Sequence, residues 1–111
     1  VEGLLALKAA LKRQGVSLIV SIFADTVDRY HEVAETIAQV EPEMVEVNIS
    51  CPNVEAEFGA PFATECPAAA AATAAARSAL ACPLSVKLAP NVPNLVQIAE
   101  AVVGAGADML K

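Results

Sequence analysis

Two hydrophobic periods alternate along this chain. In some segments apolar residues recur every three or four positions, as on one face of a helix, whereas in others β-branched and apolar residues run together, as in buried strands. Prolines, glycines and polar pairs separate these segments. The pattern predicts a helix that ends at 12–15, a strand at 16–23, a helix at 25–37, a strand at 44–49, an irregular stretch at 50–65, a helix at 67–80, a strand at 84–88, a helix at 95–103 and a strand at 108–110.

This order of elements predicts an α/β fold with about four parallel strands joined by right-handed helical crossovers. A doubly wound sheet and a TIM (β/α)8 barrel both satisfy it. No Gly-x-Gly-x-x-Gly or Walker loop follows a strand, and Gly104-Ala105-Gly106 follows a helix, as a helix stop does. We therefore favour part of a TIM barrel. Since such a barrel needs about 250 residues, we expect residues 1–111 to be a partial barrel domain, truncated at both ends.

Composition narrows the classes of function. Of the 111 residues, 56% are hydrophobic and 18% are charged, which is typical of a buried α/β core. The net charge of −6 and the scattered basic residues argue against nucleic acid as a partner. No apolar run reaches the roughly 18 to 20 residues that span a bilayer, so we expect a soluble, cytoplasmic protein. Three widely spaced cysteines indicate neither a disulfide framework nor a metal site.

Polar residues occur on one face of the predicted strands. Side chains alternate across a strand, and in each strand one set is apolar, as expected beneath the helices. The opposite sets contain Ser21, Glu46, Asn48, Ser85 and Lys87. An unpaired buried lysine costs on the order of several kcal/mol, so it needs a partner. One explanation is a structural ion pair between Glu46 and Lys87; the other is that Asn48 and Lys87 line an active site at the carboxyl ends of the strands.

Several separated motifs resemble one enzyme family. Residues 46–53 read Glu-Val-Asn-Ile-Ser-Cys-Pro-Asn, residues 86–92 read Val-Lys-Leu-Ala-Pro-Asn-Val, and 105–108 read Ala-Gly-Ala-Asp. Their order and spacing resemble class 1 dihydroorotate dehydrogenases. The resemblance implies an FMN-binding TIM barrel that oxidises dihydroorotate to orotate in pyrimidine (UMP) biosynthesis. The motif at 86–92 favours the NAD-linked type, whose partner subunit carries FAD and an iron-sulfur cluster, and we expect an oligomer.

The resemblance also implies roles for individual residues. Cys51 matches the catalytic base of class 1, and Asn48 and Asn53 match asparagines that bind the substrate. Lys87 matches the lysine that contacts the FMN ring, and Asn48 also lies near the flavin in the family. Ser21 stands where NAD-linked members often carry a flavin-contacting asparagine; its hydroxyl can still hydrogen-bond, but it reaches less far.

The irregular stretch is the predicted active-site loop, residues 50–66. As a lid it would exclude water and position Cys51. Phe58 and Phe62 would either pack the closed lid or anchor it to the barrel. Because a free cysteine has a pKa of about 8.5, turnover should rise toward alkaline pH unless the site lowers that pKa.

Other functions remain open on the sequence alone. The flavin domain of dihydropyrimidine dehydrogenase has a similar loop, but it typically carries histidine after Cys-Pro, where Asn53 stands here. A Schiff-base lyase could use Lys87 as its nucleophile. The segment could also be inactive by itself, and we expect that residues 1–111 alone do not bind FMN tightly. His31, Cys66 and Cys82 are assigned no function.

Overall fold

A computed structural model describes residues 1–50 and 62–111. Four helices and four strands alternate along these residues. In chain order they are α1 (Glu2–Arg13), β1 (Ile19–Ile22), α2 (Val27–Ala38), β2 (Met44–Asn48), α3 (Cys66–Ala79), β3 (Leu84–Lys87), α4 (Leu95–Gly104) and β4 (Met109–Leu110). Every predicted helix and strand is confirmed, and the differences are limited to a few residues at element ends.

The strands form one parallel sheet in the order β1-β2-β3-β4. Each connecting helix packs on the same face of this sheet, and α3 contacts both α2 and α4. A doubly wound sheet reverses its strand order and carries helices on both faces, whereas a barrel keeps sequential order with helices outside. The described residues therefore have the arrangement of part of a TIM barrel.

The core lies between the sheet and helices α2 to α4, as the strand patterns predicted. Side chains of β2 and β3 that face the helices are fully buried, including Val45, Val47 and Val86. Small residues of α3 let the helices approach closely, since Ala69 and Ala72 have no exposed surface. Helix α1 contributes no buried residue.

Local interactions fix the start of α2 and the end of α4. The Thr26 hydroxyl accepts a hydrogen bond from the Arg29 amide at 3.1 Å and so caps α2. Gly106 follows the end of α4 with a φ of +119°, and a Cβ there would lie 2.7 Å from Arg77 Cγ. Both the backbone angle and the close approach require glycine at this position.

None of the helices in residues 1–50 and 62–111 combines the length and the apolar character that a membrane span requires.

Candidate active site

Asn48 and Lys87 lie side by side at the carboxyl ends of β2 and β3. They are register partners, and the Ile49 amide donates to the Lys87 carbonyl at 3.3 Å. Their neighbours Val47 and Val86 are buried under the helices, so both polar side chains face the opposite side of the sheet. The predicted juxtaposition of these two residues is confirmed.

The backbone at the end of β2 is fixed by side chains. Asn48 Oδ1 accepts bonds from the Ser50 amide at 2.9 Å and from the Ser50 hydroxyl at 2.6 Å. The Asn48 carbonyl accepts a bond from the Tyr30 hydroxyl at 2.8 Å. The Asn48 amide nitrogen has no hydrogen-bond acceptor among the residues that the structure describes, so its two N–H groups can donate to a ligand.

Aromatic packing holds the chain where it returns from the predicted loop. The rings of Tyr30 and Phe62 meet edge to face, with centroids 5.3 Å apart, and Phe62 is buried. The Asn94 side chain donates to the Thr64 carbonyl at 2.9 Å. Phe62 therefore anchors the chain to the core, one of the two roles that the sequence left open.

Three residues proposed from the sequence as loop components lie outside the described residues. They are Cys51, Asn53 and Phe58. The structure describes only residues 50 and 62–66 of the predicted loop, and its roles in catalysis and closure stay predictions.

The Lys87 ammonium forms no hydrogen bond or salt bridge within residues 1–50 and 62–111, although its side chain is half-buried. The ion pair with Glu46 that the sequence left open is absent from this part of the chain. Glu46 instead accepts a hydrogen bond from the Ser21 hydroxyl at 2.9 Å and pairs with Lys111 at 3.2 Å. Lys87 thus keeps its charge available for a ligand.

These contacts lower the pKa of the Glu46 carboxyl. Burial by itself would raise the pKa of this carboxyl, but hydrogen bonds from Ser21 and Lys111 and the charges of Lys111 and Lys87 together hold it below the ordinary value of 4.5. Glu46 is therefore a carboxylate at neutral pH. The Ser21 hydroxyl uses its only proton in the hydrogen bond to Glu46, so it could contact a flavin only as an acceptor.

A concave region of about 410 Å³ opens beside Lys87 at the carboxyl ends of β3 and β4. Its lining is mostly apolar, with Leu88, Pro90, Leu95 and Leu110, and the other two lining residues are Lys87 and Lys111. A mostly apolar lining with a few polar groups is typical of small-molecule sites.

The residues assigned no function have structural contacts. His31 Nδ1 lies 3.1 Å from the Ala75 carbonyl and 3.0 Å from the Ser78 hydroxyl, so this side chain joins α2 to α3 instead of only facing solvent. Cys66 and Cys82 carry free thiols and pack against the core. Within the described residues, no group of His, Cys, Asp and Glu side chains has the arrangement of a metal site.

Two carboxylates at the amino ends of the strands, Glu43 and Asp108, were not identified from the sequence. Glu43 accepts from the Leu18 amide at 2.6 Å, and its own amide donates to the Leu18 carbonyl at 3.1 Å. Asp108 and Leu84 form the same pair of bonds: the Leu84 amide donates to the Asp108 carboxylate at 2.9 Å, and the Asp108 amide donates to the Leu84 carbonyl at 2.8 Å. The signal was present in the sequence, since each acid directly precedes a strand that begins with methionine.

Comparison with known proteins is consistent with the motifs. The sequence model of the family described as "Dihydroorotate dehydrogenase" matches residues 2–111. Relatives named "Dihydroorotate dehydrogenase B (NAD(+)), catalytic subunit" include those of Bacillus pumilus, 44% identical over 90% of this chain and 32% of the relative, and Geotalea daltonii, 41% identical over 90% and 33%. The relative from Halalkalibacterium halodurans is 43% identical over 92% of this chain and 33% of the relative. The chain spans about a third of the length of these curated relatives.

Proposed function

Because this chain belongs to the dihydroorotate dehydrogenase family, we propose that it is the catalytic-loop segment of an FMN-dependent oxidoreductase that converts dihydroorotate to orotate. The observation that carries the proposal is the pairing of Asn48 with Lys87 at the carboxyl ends of two parallel strands. Barrel enzymes place their chemistry at this end of the strands. In this proposal, residues 1–111 are part of the FMN-binding barrel domain, and residues 50–66 form its active-site loop.

The side chains present suit FMN. A half-buried ammonium with no bond in the described part of the chain costs free energy unless a ligand compensates it, and Lys87 is such a group. Asn48 offers free N–H donors beside it, and Ser21 lies on the same face. When bound, FMN would supply the hydride acceptor. Lys87 would hold positive charge beside the flavin ring, where negative charge develops as the ring is reduced.

The substrate would be bound and deprotonated from the loop side. Asn48 and Asn53 would hydrogen-bond the dihydroorotate, and the Cys51 thiolate would remove a proton from the ring carbon next to the one that loses hydride. The thiolate is the reactive form, so the activity should follow the ionisation of Cys51. The resemblance in residues 46–53 supports these roles.

The electron acceptor in this proposal is NAD. The relatives are named as catalytic subunits of a B-type, NAD-dependent enzyme. That name supports a separate electron-transfer subunit, which by the family resemblance would carry FAD and an iron-sulfur cluster. We further propose an oligomeric cytoplasmic enzyme of UMP biosynthesis.

The test is performed on the full-length protein that contains residues 1–111. The released flavin is identified after denaturation, and the holoprotein is mixed without oxygen with dihydroorotate or, as a control, with dihydrouracil. We expect FMN, with rapid bleaching of the flavin absorbance by dihydroorotate alone. Bleaching by dihydrouracil would indicate the dihydropyrimidine dehydrogenase type. A colourless protein that borohydride links to a carbonyl substrate through Lys87 would indicate a lyase. The segment 1–111 by itself should retain no stoichiometric FMN.

A further inference from the structure

Glu46 connects three strands on the face of the sheet opposite helices α2 to α4. Its two carboxylate oxygens contact Ser21 of β1 at 2.9 Å and Lys111, directly after β4, at 3.2 Å. Only 12% of the Glu46 side chain is exposed. Since a carboxylate buried to this degree needs compensation, these two contacts account for its position.

Lys111 and Lys87 are neighbours on adjacent strands. The Lys111 amide donates to the Val86 carbonyl at 3.0 Å, and the Lys111 carbonyl accepts from the Leu88 amide at 2.8 Å, which sets Lys111 opposite Lys87 in the parallel ladder. Adjacent strands lie about 4.8 Å apart, so the two side chains start close together. Both line the same concave region. Like charges in such a position repel each other.

The Lys111 ammonium relieves this repulsion by leaning across β3 to Glu46. Strand β3 lies between β2 and β4, so the salt bridge spans two strand spacings. The β3 residue in register with Glu46 is the small, buried Ser85. One carboxylate thus faces two ammonium groups, and the contact with Lys111 leaves the second ammonium without a partner in the described chain.

We propose that Glu46 and Lys111 are positioning residues for Lys87: Glu46 takes Lys111 as its partner, and the Lys87 ammonium is thereby kept free to contact a ligand. Without Lys111, the Glu46 carboxylate would draw the Lys87 ammonium to itself. Without Glu46, the two lysines that lie opposite each other on adjacent strands would repel each other with no carboxylate to compensate them. The identity of the ligand, the flavin ring of FMN, rests on the proposed function, whereas the charge relationship does not.

A double-mutant cycle in the full-length protein tests this relationship. The four proteins are the unmodified protein, Glu46→Gln, Lys111→Met and the double variant, with Lys111→Gln as a substitute if Lys111→Met is insoluble. Glutamine retains an acceptor for Ser21, and methionine retains the apolar stem of the lysine. The first readout is the rate at which an amine-acylating reagent modifies Lys87 in flavin-free protein from neutral to alkaline pH, followed by mass spectrometry. The second is the FMN dissociation constant.

We expect the two single substitutions to change the acylation rate of Lys87 in opposite directions, so that their effects cancel in the double variant. Glu46→Gln should raise the acylation rate of Lys87 severalfold, because a nearby ammonium disfavours protonation of its amine. Lys111→Met should lower that rate severalfold and weaken FMN binding about tenfold, a factor that corresponds to the loss of one charge-assisted contact. The double variant should return both quantities to within about twofold of the unmodified protein, since its remaining charge on this face is the same.

The cycle also separates this proposal from the proposed function. If the single effects multiply in the double variant, or if Lys111→Met leaves the acylation of Lys87 unchanged, the positioning role is wrong. If no protein of the set binds FMN but the acylation rates follow the predicted cycle, the positioning role stands and the flavin assignment fails.

Discussion

At the amino end of the sheet charged side chains are bonded to strand backbone, whereas at the carboxyl end polar side chains keep unused hydrogen-bonding groups. Glu43 accepts a bond from the Leu18 amide, just before β1, and Asp108 accepts one from the Leu84 amide, at the start of β3. Arg77 adds a bond to Asp108 at 2.9 Å and bonds to two carbonyls of the α3–β3 connection. At the other end, the Lys87 ammonium and the side-chain amide nitrogen of Asn48 have no partners in the described residues.

Stability and ligand binding therefore depend on opposite ends of this sheet. Satisfied hydrogen bonds at strand starts fix the register of the sheet and contribute to the free energy of unfolding. Unsatisfied groups at strand ends cost free energy in the unliganded protein and recover it when a ligand binds. Mutations at the two ends of the full-length enzyme should therefore affect different measurements.

The largest predicted effect is on catalysis at the carboxyl end. Cys51→Ala should slow flavin reduction by dihydroorotate by a factor on the order of 10² to 10⁴, the usual contribution of a positioned general base. Thermal stability should change little. Cys82→Ala, near the amino end of β3, is the control and should retain the rate. Full activity in Cys51→Ala would remove Cys51 as the base.

The pH dependence of flavin reduction tests the same role of Cys51. A thiolate base of ordinary pKa, about 8.5, makes the rate of flavin reduction rise from neutral toward alkaline pH. Stopped-flow rates measured over that range should follow a single ionisation. A flat profile would mean that the pKa is strongly lowered or that another group is the base.

Lys87→Met should come next in size. We expect FMN binding and flavin reduction to weaken at least about tenfold, since a charge-assisted contact is lost. The melting temperature of the flavin-free protein should hold or rise, because the substitution removes a half-buried ammonium with no bond in the described chain. Lys12→Met, at the end of α1, is the matched control. A large loss of stability with normal FMN binding would mean that Lys87 stabilises the fold and does not bind the flavin, contrary to this prediction.

Asp108→Ala should show the opposite behaviour. The Leu84 amide and the Arg77 guanidinium lose a shared acceptor, which should cost about 1–3 kcal/mol in the free energy of unfolding. Denaturant titration of the full-length protein measures this loss. Asp25→Ala removes an exposed ion pair between Asp25, which precedes α2, and Arg29 in its first turn, and should cost less than about 1 kcal/mol. Equal costs for the two variants would argue against the strand-start bonds as a source of stability.

The smallest effect concerns Glu43 and acid. The hydrogen bond from the Leu18 amide is the main cause that lowers the pKa of Glu43 below 4.5, so folding favours its charged form. The resulting stabilisation is present above that ordinary pKa and is lost as the pH falls through the lower folded value. Glu43→Gln should therefore differ in stability from the unmodified protein near neutral pH and converge with it in acid. A difference that grows toward acid would contradict the sign.

The sequence predicted the elements and the face on which Asn48 and Lys87 lie, because alternation along a strand fixes which side chains share a face. It did not identify the partner of Glu46. The lysine on the adjacent strand, Lys87, was the obvious candidate, and only the strand order and the reach of a lysine side chain make Lys111 the partner. The strand-start carboxylates were missed for a similar reason, since an acid in a connection is usually solvated and only the register of two strands shows what it binds.

The most direct test of the central claim is the protection of Lys87 by the flavin. The full-length protein is treated with an amine-acylating reagent with FMN bound and after its removal, and the modification of Lys87 and of Lys12 is measured by mass spectrometry. We expect FMN to protect Lys87 strongly and to leave the modification of Lys12 unchanged. Equal modification of Lys87 in the two forms would contradict the assignment of the carboxyl ends of β2 and β3 to the flavin site.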